Sequence, residues 1–150
     1  MLSSSHLWFY CALGAALLWG FSYALSEKVM KDALSPMFIM VVTGFFYFVI
    51  SLLIAYFTDN LKGGFTAINQ DKSLFLNLLI LSLSYVIGAF LIYYAINLKN
   101  ATMVNLIEIT FPIFTLIFAY LLMKEVQINV STLLGGSLIF IGVGIIYLKA

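Results

Sequence analysis

The sequence predicts an all-α integral membrane protein, a bundle of five transmembrane helices, and three observations carry that expectation. Of 150 residues, 64% are apolar and only 9% charged, against roughly 25% charged in a soluble domain. Mean hydropathy is +1.13. The apolar residues also fall into five long runs rather than being scattered. Too little polar surface remains to cover a water-facing body, so the solvent has to be lipid.

The runs cover residues 7–25, 36–57, 74–97, 101–123 and 130–148. Each reaches the ~20 residues that cross a hydrocarbon core of about 30 Å. Inside lipid every backbone N–H and C=O needs a partner within its own segment, which favours helices. Strands would be half as long and would alternate. One domain is expected over 1–150.

The first run carries Ser22-Tyr23-Ala24 at a cleavage-like spacing. However, no Lys or Arg precedes it and it exceeds the usual 7–15 apolar residues of a signal peptide. It is read as a retained span. Between the first two runs lies a basic turn with Lys28 and Lys31. Ser35-Pro36 then opens the second helix, since Pro at the first helical position gives up no needed N–H. Segment 58–73, with Gly63-Gly64, two Asp and two Lys, reads as the only sizeable loop. Leu98-Lys99-Asn100 leaves room for a tight hairpin, and residues 123–127 (Met-Lys-Glu-Val-Gln) close the fourth span. Tyr56, Tyr120 and Tyr147 stand near run ends, where an amphipathic ring suits the headgroup zone.

Charge excludes some functions and leaves orientation open. Net charge is +1 and all seven basic residues are Lys, so neither a nucleic-acid footprint nor forked phosphate recognition is expected. The one Cys, Cys11, excludes an internal disulfide and a Cys-based zinc site. No metal or cofactor is expected. With five spans, Lys62, Lys72, Lys124 and the α-amine face Lys28, Lys31, Lys99 and Lys149 across the bilayer, four positive groups against four. The positive-inside rule then has no bias to act on. Insertion in both orientations would make an antiparallel homodimer, the inverted symmetry that many transporters use for alternating access.

The chemistry concentrates at Glu108, the only acid deep inside a run. It lies about four residues, or ~6 Å, from the middle of its helix. Acids at such depth are costly and usually face a bundle interior or a wet cavity. Lipid disfavours the charged form, which suits a site that takes up and releases a proton, or alternatively a protonated Glu108 simply hydrogen-bonded to a neighbouring helix, with the small residues serving close packing. Ala101, Asn105, Glu108, Pro112, Thr115 and Ala119 follow a 4-3-4-3-4 rhythm and share one face. Pro112 clashes with the carbonyl four residues back, that of Glu108 itself, so a kink is predicted beside the acid. By depth, Trp19, Tyr23, Tyr93, Tyr94 and Asn105 lie on the same half of the bilayer as Glu108, with Tyr85 near the middle. Were helices one, three and four neighbours, these would wall a vestibule fit for an apolar molecule or a cation.

Small residues align on three helices: Gly44, Ser51 and Ala55; Ser84, Gly88 and Ala95; and Gly135 and Gly142. Close backbone approach of that kind holds membrane bundles together. The fifth helix has four Gly and no ionisable residue before Lys149, so Gly135 and Gly142 are expected at a pairing interface.

Two stretches carry a resemblance. Residues 17–36 (LLWGFSYALSEKVMKDALSP) and 93–125 (YYAINLKNATMVNLIEITFPIFTLIFAYLLMKE) resemble the two signatures of an EamA-type domain of the drug/metabolite transporter superfamily. The Gly-rich end, LLGGSLIFIGVGIIYL, is similar to that domain's last helix. The resemblance spans essentially the whole chain. It implies a half-unit of an inverted-repeat transporter, with helices three and four lining a path along which small metabolites, amino acids or drugs are exported, commonly with proton coupling. Most such proteins fuse two five-helix units, so a single unit implies a homodimer or pairing with a homologous half. Where that pattern carries an acid directly before the Pro, this chain has Phe111, and Glu108 lies one turn away. The smaller multidrug-resistance relatives place their acid in helix one, where this chain has none.

The expected function is thus a small secondary transporter for a small metabolite, amino acid or hydrophobic cation, multi-pass in the cytoplasmic membrane of a prokaryote. The alternative is a non-transporting partner subunit of a larger transporter complex. An enzyme is not expected: the only His, His6, precedes the first run, and residues 20–24 (GFSYA) miss the nucleophile-elbow pattern and lie inside a membrane helix.

Overall fold

The structure is a computed structural model and describes residues 6–124 and 129–149. These form α1 (Leu7–Asp32), α2 (Pro36–Phe57), α3 (Asn60–Gln70), α4 (Lys72–Leu98), α5 (Ala101–Glu108), α6 (Phe111–Met123) and α7 (Val130–Lys149). No strand occurs among the described residues. The segments Leu7–Asp32, Pro36–Phe57, Lys72–Leu98 and Ala101–Met123 are long and apolar enough to cross a bilayer. The fifth run is helical as α7, with a shorter apolar stretch, Leu133–Leu148.

The helix ends follow from local chemistry. Ser35 caps α2, its Oγ accepting the Phe38 N–H at 3.2 Å, and Pro36 takes the first helical position. The Asp71 carboxylate caps α4 by accepting the Ser73 N–H at 2.8 Å. Asn100 Oδ1 caps α5 through the Met103 N–H at 2.8 Å. Lys124, in the left-handed region at φ 60°, ends α6, and its N–H returns to the Tyr120 carbonyl. Its ammonium lies 5.7 Å from the Tyr120 ring centre, within reach of a cation–π contact. The expected closing turn at Glu125, Val126 and Gln127 lies outside the described residues, as does the amino terminus.

Three sequence expectations are corrected. Lys28 and Lys31 are not in a turn: α1 runs on to Asp32, helped by the Glu27–Lys31 ion pair one turn apart, and the link to α2 is residues 33–35. Segment 58–73 is not a loop, because Asn60–Gln70 is helical. Gly63-Gly64 suggests a break, but Leu61, Phe65 and Ile68 at i, i+4 and i+7 form an apolar stripe that favours a helix. Thirdly, close approach at Gly44 of α2 and Gly88 of α4 is not seen among the described residues: a methyl built on either meets no described atom within 4 Å. Between α2 and α4 the rings meet instead: Tyr47 stacks on Tyr85 with centroids 6.3 Å apart.

The chain divides into two compact units, one of Met1–Tyr23 with Asn100–Ala150 and the other of Ala24–Lys99. Within the second, α2, α3 and α4 pack on one another, and Ile39 and Ile96 are buried. Within the first, Ala101, Val104 and Ala119 are buried. No large side chain among the described residues is fully enclosed, and most Leu, Ile and Phe of the spans are exposed. In water that surface would cost roughly 25 cal/mol per Å². A hydrocarbon solvent removes the cost, which agrees with the composition.

Candidate functional site

The candidate site grows from a broken helix. Asn100 starts α5, and after eight residues it stops at Glu108. The Ile109 N–H still reaches the Asn105 carbonyl at 3.0 Å, but the Thr110 N–H tightens onto Ile107 at 3.1 Å, three residues back. The Thr110 hydroxyl donates to the same Ile107 carbonyl at 2.8 Å. α6 then restarts at Phe111. Pro112 has no N–H to offer the Glu108 carbonyl and its ring crowds that oxygen, which accounts for the interruption. The kink predicted from Pro112 is thus a local interruption at Ile109 and Thr110, both still in the right-handed α region, within Ala101–Met123.

At that break Glu108 is half-buried and accepts a hydrogen bond from the Tyr23 hydroxyl, Oη to Oε1 at 3.0 Å. Both residues belong to the unit that joins the start of the chain to its last third. Glu108 sits on the last turn of α5, three residues before α6 begins at Phe111. The seven Lys are at span ends or in the connecting segments, and none is within the middle of a span. The arrangement can hold a proton or receive a cationic group.

The other expected residues divide between the two units. Asn105 is half-buried three residues before Glu108 on the same helix face. Trp19, one turn before Tyr23 on α1, is 58% exposed. Pro112 is exposed, and the exposed Thr115 donates its hydroxyl back to the Phe111 carbonyl at 3.1 Å. Tyr85, Tyr93 and Tyr94 belong to the Ala24–Lys99 unit. There Tyr85 stacks on Tyr47, Tyr94 stacks on Phe90 at 5.8 Å, and Tyr93 is half-buried. His6 and Cys11 are exposed.

Two features were not anticipated. Tyr47 was passed over because nothing in its own run marks it; only its partner on α4 does. On α6, Phe111, Phe114, Thr115, Phe118, Ala119 and Leu122 line an open apolar groove of about 410 Å³. Their i, i+3, i+4 spacing was readable but indistinguishable from an ordinary lipid-facing stripe.

Comparison with known proteins places the fold and the broken helix in a transporter context. The family model of EamA-like transporters matches residues 6–148. Neither the curated proteins nor the solved structures contain a significant match. The match takes in all the spans described above together with Tyr23 and Glu108, and the family is one of transporters rather than enzymes. The chain therefore belongs to the EamA-like transporter family and is a multi-pass integral membrane transporter.

Proposed function

We propose that this protein is a small secondary transporter in which Glu108 exchanges a proton for substrate, exporting a small metabolite, an amino acid or a hydrophobic cation. The observation that carries the reading is the Tyr23–Glu108 hydrogen bond at the helix break. Acidic side chains inside membrane segments commonly mark proton relays or substrate pathways. Broken spans are also where transporters commonly build their binding sites. Asn105, Trp19 and Thr115 would line the same path. Tyr85, Tyr93 and Tyr94, in the Ala24–Lys99 unit, are matched to it by sequence depth only and carry no part of this reading.

The working form is an antiparallel homodimer of single-domain, five-span copies in the cytoplasmic membrane of a prokaryote, with α7 as the fifth span. The even split of Lys between the two sides supports dual orientation. Gly135 and Gly142, seven residues apart on α7 and with open space around both, suit a helix-pairing face.

The test uses proteoliposomes under an imposed pH gradient and a panel of labelled amino acids and hydrophobic amines. Gradient-driven flux of at least one compound is expected, and Glu108→Gln should lower it by about tenfold or more, as loss of a positioned proton-transfer group does. Undiminished flux in Glu108→Gln, with the same pH dependence, would overturn the proposal.

A further inference from the structure

The helix that replaces the expected loop has a surface left to cover. α3 is 11 residues long, about 16 Å, with Leu61 and Ile68 half-buried and Phe65 66% exposed. Those three share one face, Lys62 and Asn69 flank it, and Thr66 and Gln70 lie on the far side. A helix this short, with Gly63-Gly64 in its interior, is marginal in water and depends on burial of its apolar side.

Connectivity says what is available to bury it. α2 ends at Phe57 and α4 begins at Lys72, both membrane-spanning segments. Only Thr58 and Asp59 link α2 to α3, and only Asp71 links α3 to α4. Two residues reach at most about 7 Å. Asp59, in the left-handed region at φ 55°, turns the chain within that short link. α3 also packs on both α2 and α4, so it is held close to two membrane-spanning segments. Tyr56 and Phe57, at the adjoining end of α2, are 69% and 80% exposed, an aromatic pair where a headgroup zone would lie.

From this placement we infer that α3 is an interfacial helix whose Leu61–Phe65–Ile68 face seats in the lipid at the headgroup–acyl boundary, with Phe65 as the inserted anchor. Segment 58–73 carries Lys62 and Lys72 against Asp59 and Asp71. The lipid partner is therefore recognised through apolar burial rather than anionic charge.

The experiment places a reporter at the anchor in the full-length chain. Phe65→Trp is made in a Trp8→Phe, Trp19→Phe background and reconstituted in phosphatidylcholine vesicles whose acyl chains carry bromine at different depths. A helical circular dichroism spectrum checks folding. Emission from the single introduced indole should be quenched roughly twofold more by bromine near the headgroups than by bromine near the chain ends, matching a burial of about 5–10 Å. Aqueous iodide should quench it weakly, and exchanging part of the lipid for phosphatidylglycerol should change neither result. Strong iodide quenching without a bromolipid effect would show a solvated helix and overturn the inference. Silence to both quenchers would show a protein-covered face and overturn it equally.

Discussion

The Tyr23 hydroxyl donates to Glu108 Oε1 at 3.0 Å, joining two residues that are 85 positions apart in the chain. The contact ties the middle of α1 to the last turn of α5, at the point where a membrane-spanning segment is interrupted. An acid placed in lipid thereby has one defined protein donor.

The strength of that bond is measurable. A double-mutant cycle of Tyr23→Phe and Glu108→Ala, read by unfolding in mixed micelles, should give a coupling of about 0.6 kcal/mol, and at most ~1.7. Strict additivity would mean that the two side chains do not meet in the membrane.

Pro112 should be what breaks the helix. In a Cys11→Ser background, spin labels on the exposed positions Thr102 and Ile117 report the distance across the break. Pro112→Ala restores an N–H opposite the Glu108 carbonyl, so the distance should lengthen toward the about 22 Å of a continuous helix. Stability should hold or rise, and flux should fall. An unchanged distance distribution would assign the break to Ile109 and Thr110 alone.

Asp71 gives a pH signature outside the spans. The Ser73 side chain foremost, and the Ser73 backbone N–H after it, hold the Asp71 carboxyl below its usual 3.8. The folded value lies under the unfolded one, so the unfolded chain binds more protons in the window between them. The stabilisation is complete above the usual carboxylate range and fades as pH falls through the depressed folded value. Asp71→Ala should be less stable than the wild type at neutral pH, and the two unfolding curves should converge in strong acid. A gap that persists at the lowest pH would exclude the charged cap as its source.

Orientation can be read directly. Reporters fused at the C-terminus, one active only in the cytoplasm and one only outside it, should both give signal, in comparable amounts. Adding two or three Lys near one end of α7 should push the population to one side. Strictly one-sided signal from the unmodified chain would remove the antiparallel dimer.

How much of this was legible beforehand differs by element. α2 and α4 begin within two residues of the apolar runs, because lipid imposes a length and a composition that no neighbour can alter. Glu108 and Pro112 were conspicuous for the same reason: an acid and an imino acid inside an apolar run have few cheap explanations. The helicity of α3 was hidden by Gly63-Gly64, whose local preference loses to an apolar stripe only three side chains wide. Tyr23 stood among several aromatics of similar depth, and depth alone does not say which ring turns toward the acid.

The sequence by itself determined that the chain lives in lipid, where its apolar spans run and where one of them kinks, since those follow from transfer free energy and from the missing N–H of proline. Only the tertiary structure decided that Tyr23 meets Glu108, that Tyr47 stacks on Tyr85 and that α3 is a helix packed on α2 and α4. In a bilayer nearly every side chain of a span is apolar, so hydrophobicity cannot choose between faces. That choice falls to shape and to a few hydrogen bonds, which exist only once the helices are side by side.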